Sequence, residues 1–104
     1  MNEEIERMEN EGGNVGVAPT KQVHRNEVFA AINAERDYQD SRHPGHSHTA
    51  LEFLAFIEEY TREAINMYTH HNEKRALKNV RKIAALAVAC MEENGVVYRE
   101  PKGE

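Results

Sequence analysis

Four glutamates, a strip of basic residues and two tyrosines carry the chemistry open to this sequence. Glu58 falls between Leu54 and Thr61 on a stripe that is otherwise apolar, and Glu59 and Glu63 follow on the same stretch. Glu35 continues a second stripe formed by Val28, Ala31 and Ile32, with Gln39 beyond it. A carboxylate that points inward from such a stripe needs a cation, a hydrogen-bond donor or a raised pKa. The cations are close in number and place: Lys74, Arg75, Lys78, Arg81 and Lys82 crowd one later segment. Helical spacing puts Arg75, Lys78 and Lys82 on one side of it. Two mechanisms use these groups. In one, Glu35, Glu58, Glu59 and Glu63 hold Mg²⁺, which bridges the phosphates of a nucleotide and activates water. In the other no cofactor is needed: Lys78, Arg81, Lys82 and Arg36 hold phosphates directly, Tyr38 or Tyr60 stacks on a base, and Glu35 or Glu58 reads the base edge.

Three helices must position these groups. The first spans roughly Asn26–Asp40, with Asn26 as N-cap and Glu27 in the acidic first turn. Its end, Glu35-Arg36-Asp37-Tyr38-Gln39-Asp40, is dense in polar groups and also reads as a solvated terminus. The second helix starts at Thr49-x-x-Glu52, a capping box, and runs to about Tyr68. It carries two stripes: Leu51, Leu54, Thr61, Ile65 and Tyr68 on one, and Phe53, Phe56, Tyr60, Ala64 and Met67 on the other. A helix apolar over so much of its circumference has to be enclosed, and this one reads as the element the rest is built around. The third helix spans about Glu73–Asn94, between Asn72 as N-cap and Gly95 as C-terminal stop. Its stripe is Leu77, Val80, Ala84, Ala87 and Met91, widened by Ile83, Leu86 and Cys90. Cations at its start oppose the macrodipole, which favours acids there, so an anion or a carboxylate partner is expected.

The connection SRHPGHSHT between the first two helices holds His43, His46 and His48. It reads as a histidine-rich turn, a phosphate-contacting loop or a metal site. Structural zinc sites draw on a second group of ligands, and none is evident. Residues 1–20 read as a flexible acidic arm, broken by Gly12, Gly13, Gly16 and Pro19. Residues 21–97 form the helical domain and 98–104 a tail, with Val96–Tyr98 as a short extended piece.

A chain of 104 residues allows one domain with a modest core. The net charge of -5 argues against a nucleic-acid polymer as partner. No run is apolar enough to span a bilayer, and the acidic start is wrong for a signal peptide. The single Cys90 in an apolar run suits a reduced, cytoplasmic protein. Three helices with wide apolar faces make a thin core. The expected fold class is therefore all-α, a small bundle of three main helices completed by homo-oligomerisation.

The segments FIEEYTREA and AALAVACMEENG resemble the small all-α MazG-like nucleoside triphosphate pyrophosphohydrolases. Over roughly residues 26–97 the chain is also similar to short phage-borne helical proteins with AERDYQD, a histidine-containing turn, EFL and a KIAALAVACMEENG-like ending. The MazG resemblance implies a Mg²⁺ site from an acidic pair three residues apart on one helix and a Glu and an Asp three apart on the next. This sequence departs from both. Glu59 and Glu63 stand four apart, Arg62 replaces the later acid, and the third helix offers Lys78, Arg81 and Lys82. Cations repel a divalent ion and attract a phosphate. The expectation is a helical protein that binds a small nucleotide and leaves it uncut. In a phage setting that suits sequestration, in the host cytoplasm, of a nucleotide signal such as a cyclic dinucleotide or an ADP-ribose-type molecule. The alternatives are a Mg²⁺-dependent pyrophosphohydrolase using Glu58, Glu59 and Glu63, and a helical protein-interaction module.

Overall fold

The computed structural model describes residues 22–45 and 47–101. The expected arm at 1–20, His46 and the last three residues of the tail lie outside the described residues. Within them the chain forms three α-helices and no strand: α1 (Arg25–Arg42), α2 (Ala50–Thr69) and α3 (Glu73–Asn94). All-α is thus the fold class. No helix among the described residues is long and apolar enough to cross a membrane.

Local chemistry sets most of the helix limits. Thr49 accepts from the Glu52 N–H at 3.2 Å, and the Glu52 carboxylate accepts from the Thr49 N–H at 2.9 Å, the reciprocal bonds of a capping box. The Asn72 side chain accepts from the Arg75 N–H at the start of α3. Gly95, at φ 111°, ends α3, and its N–H returns to the Met91 carbonyl. The turn from α2 to α3 needs one left-handed residue, His71 at φ 60°. The start of α1 differs from expectation. The N-cap is His24, not Asn26, and it contributes its carbonyl to the N–H groups of Glu27 and Val28 without a side-chain bond. Asn26 is simply the second helical residue. Val96–Tyr98 carries no regular secondary structure.

The capping box has a measurable consequence. The Thr49 backbone N–H holds the Glu52 carboxyl below its ordinary pKa; burial opposes this, and the charge of His48 adds to the lowering. A depressed carboxylate contributes stability that is present above its unfolded pKa and is lost as pH falls through the folded one. Thr49→Ala should cost about 1 kcal/mol in thermal unfolding at neutral pH. The stability difference between the wild type and Glu52→Gln should vanish as pH falls through the depressed pKa.

Helix α3, not α2, is the central element. It packs against both α1 and α2, while no Cα of α1 comes within 8 Å of α2. The α2–α3 contact is close because α3 presents small residues: Ala76, Ala85 and Ala89 are buried, and Ala85 is 0% exposed. From α2 come the buried Phe53 and Ala64. Asn79 is buried in the same contact and donates to the Tyr60 carbonyl and to Glu63. Its amide is satisfied by these bonds, which is what makes a polar residue tolerable there.

The stripes expected to be buried are instead largely open. Leu51, Leu54, Ile65 and Tyr68 of α2, and Leu77, Val80 and Met91 of α3, are exposed. Periodicity identified real apolar faces, but large side chains on α3 would hold the helices apart. The alanine face packs inside the chain and the bulky face points out. The radius of gyration is 16.0 Å, where a compact chain of this size has about 13 Å. The open shape leaves a gap between α1 and α2, roofed by α3.

Candidate functional site

That gap is a cleft of about 410 Å³. Helix α1 supplies Arg36, Gln39, Asp40 and His43; the connection supplies His48; α2 supplies Phe53, Phe56 and Tyr60; α3 supplies Leu86, Ala89 and Glu93. One wall is aromatic. His48 meets Phe53 and Phe56 edge-on at 5.4 and 5.1 Å between ring centroids, and the two phenyl rings stand at 90° to each other. Rings at right angles brace one another.

The opposite wall is polar. Arg36 is a fixed post, only 12% exposed, and it donates to Glu92 at 2.8 and 3.0 Å and to Asp40 at 2.9 Å. Burial works against its charge, but the bonds to Glu92 and Asp40 outweigh it, so its pKa is raised. Glu93 accepts the His48 N–H at 2.8 Å, tying the end of α3 to the loop before α2. Asn94 donates to the His48 carbonyl in the same tie. Among the described residues, one buried side-chain atom, Gln39 Oε1, accepts no hydrogen bond. An unsatisfied buried acceptor costs about 1–3 kcal/mol and marks a place where a donor belongs.

The basic strip divides. Arg81 turns to α1 and binds Glu35 through Nε at 2.8 Å, and that carboxylate is buried. The inward glutamate on α1 thus has its cation, and the pair joins α1 to α3. Lys82 goes the other way and places its ammonium 5.7 Å from the Tyr60 ring centroid. Helical spacing sets Lys82 one turn from Leu86, a cleft residue, and exposed Lys78 one turn further out. Arg81 is therefore engaged in structure, and Lys82 and Lys78 continue the cleft's α3 face as an ammonium track.

Other candidates fall elsewhere. Tyr38 is exposed beneath the Arg42 guanidinium and does not line the cleft, so of the two tyrosines only Tyr60 is placed to stack there. Glu58 does not point inward: it is exposed and bound to Arg62 at 2.8 Å, an i,i+4 pair in water. Glu63 accepts from Asn79, and Glu59 is exposed. Among the described residues no three acidic, histidine or cysteine side chains converge to hold a metal. Arg62 sits on Glu58, and the Lys82 ammonium lies beside Tyr60.

Sequence reasoning passed over Gln39, Phe53, Phe56, Glu92 and Glu93 as site residues. Gln39 shares the face of Glu35, and a polar residue on that face was the available signal. The aromatic residues read as core. Comparison with known proteins returns no matching family model, no matching curated protein and no matching solved structure.

Proposed function

We propose that the cleft binds a small nucleotide, base inward and phosphates toward Lys82 and Lys78, and holds it without hydrolysis. The observation that carries this reading is the pairing, in one cleft, of an aromatic wall from α2 with polar side chains of α1 and α3. The volume lies in the range of small-ligand sites. The interior is rich in acceptors: Asp40 and Glu93 each use one carboxylate oxygen in the contacts described above. Such an interior suits a base edge that donates, an amino or imino group. Arg36, the cation of that interior, is already paired with Glu92 and Asp40, so phosphate belongs at the rim with the ammonium groups. Tyr60 stands between the two regions as a stacking surface.

The non-hydrolytic reading draws on the neighbours of two glutamates of α2: Arg62 pairs with Glu58 and Asn79 donates to Glu63. Sequestration of a phosphorylated signal, a cyclic dinucleotide or an ADP-ribose-type molecule, is the role that follows. The open apolar faces of α2 and α3 further support a homo-oligomer of at least two copies.

The test is a thermal-shift panel of mononucleotides, cyclic dinucleotides and ADP-ribose. A ligand at 100 times its Kd stabilises by about 2.7 kcal/mol and raises Tm by several degrees. Lys82→Glu should weaken that ligand about tenfold or more, while the ligand-free Tm falls by no more than a few degrees through the lost contact with Tyr60. Lys78→Glu, one turn out, should act in the same direction and less strongly. If no member of the panel moves Tm, the chain is a protein-interaction module. If pyrophosphate appears with Mg²⁺, it is an enzyme.

A further inference from the structure

The outer stripe of α2 is self-complementary. Its residues are Leu51, Leu54, Glu58, Thr61, Ile65 and Tyr68, spaced alternately by three and four, which is the a/d repeat of a two-helix seam. In an antiparallel pair each residue meets the one equally far from the centre. Leu51 and Tyr68, Leu54 and Ile65, and Glu58 and Thr61 are all centred on one point, midway between Glu59 and Tyr60. We infer that α2 of one copy packs antiparallel on α2 of a second copy, about a two-fold axis through that point. This deepens the oligomeric part of the proposed function by naming the face and the register, and it is independent of the ligand.

The surface has the properties the pairing needs. Leu51 is 75% exposed, Leu54 58%, Ile65 59% and Tyr68 58%. Covering these four side chains on both copies removes on the order of 1,000 Å² from water, where specific interfaces begin. The opposite face of α2 is occupied by α3 through Phe53 and Ala64, so the outer stripe is available and the cleft stays open. Each α2 is about 30 Å long and the seam runs nearly its whole length.

Charge agrees with the same register. Glu58 and Arg62 form an ion pair within one chain, with both side chains more than two-thirds exposed. In the antiparallel seam, Arg62 of one copy lies within one residue of the level of Glu58 of the other. Two glutamates and two arginines then alternate about the axis. A parallel pairing would set Glu58 against Glu58. The carboxylate that breaks the apolar stripe thus forms, with Thr61, a central polar layer, the kind of layer that fixes register.

Light scattering and disulfide trapping in a Cys90→Ala background test the inference. The protein should have the mass of at least two copies. A mixture of Leu54→Cys and Ile65→Cys chains should form covalent dimers on mild oxidation. Neither variant alone should, since like positions in this seam lie about 16 Å apart and a disulfide spans less than 7 Å between Cα atoms. Leu54→Asp should lower the mass toward one copy with helical content retained, because the side chain is exposed in the single chain. Self-linking of Leu54→Cys chains would overturn the register in favour of a parallel pair. An oligomeric mass with no cross-link in the mixture would overturn this face while leaving the oligomer. A single-copy mass for the wild type would overturn both.

Discussion

Phe53→Ala should cost about 3–5 kcal/mol, the range for truncating a buried phenyl ring. Phe53 is the large side chain most completely enclosed, at 3% exposure, and it fills the contact between α2 and the alanine face of α3. Ala85 and Ala89 are too small to move into the space, so the cavity persists. A domain of this size has a total stability of about 5–15 kcal/mol, and losing about a fifth or more of it is visible in a urea titration. The midpoint should fall steeply with the slope little changed. The same truncation at Leu54, on the outer stripe, should instead leave the single chain's stability nearly unchanged and weaken only the association, so that unfolding depends less on protein concentration. Equal effects of the two would contradict the assignment of inner and outer faces.

Arg81→Met should cost about 2–3 kcal/mol. It strips the cation from the buried Glu35 carboxylate and leaves the charge without a partner. The figure is below that for a fully buried pair because the Arg81 side chain is 42% exposed and water can reach part of the site. Adding Glu35→Gln should restore most of the loss, since the uncompensated charge is then gone. A double-mutant cycle in chemical denaturation measures this. Additive losses would mean that the pair does not couple α1 to α3.

How much of this could be read from the residues depended on whether the signal was local. The ends of α2 and α3 were legible because their caps are local: Thr49 with Glu52, Asn72, and Gly95. So was the inward position of Glu35, which helical spacing alone dictates. The start of α1 was not, because His24 caps through its carbonyl and leaves no mark in side-chain type. The sense of the α3 faces was also hidden. Hydropathy ranks Leu77, Val80 and Met91 above alanine, but close helix approach selects Ala76, Ala85 and Ala89 for the interior. Glu58 was misread for a related reason. An apolar stripe says that something must cover it and does not say whether the cover is the same chain.

The cleft was the least legible feature. Arg36 and Asp40 sit in a polar run that reads as a solvated helix end, and Phe53 and Phe56 read as core. Only the crossing of α1 over α3 brings them to one cavity. Glu35 and Arg36, adjacent in sequence, reach Arg81 and Glu92, which lie about 16 Å apart along α3. No short motif encodes that crossing. The division of the basic strip, Arg81 inward to Glu35 and Lys82 toward Tyr60, follows from it as well. On α2, Glu58 pairs with Arg62 and Glu63 accepts from Asn79.

Native mass spectrometry of the protein, purified from cells that make diverse nucleotides, tests the central claim most directly. The account predicts a mass excess of one phosphorylated, base-containing molecule per cleft, released intact on unfolding and absent from Lys82→Glu protein. Recovery of a hydrolysed product, or an empty protein to which no nucleotide binds at millimolar concentration, would contradict it.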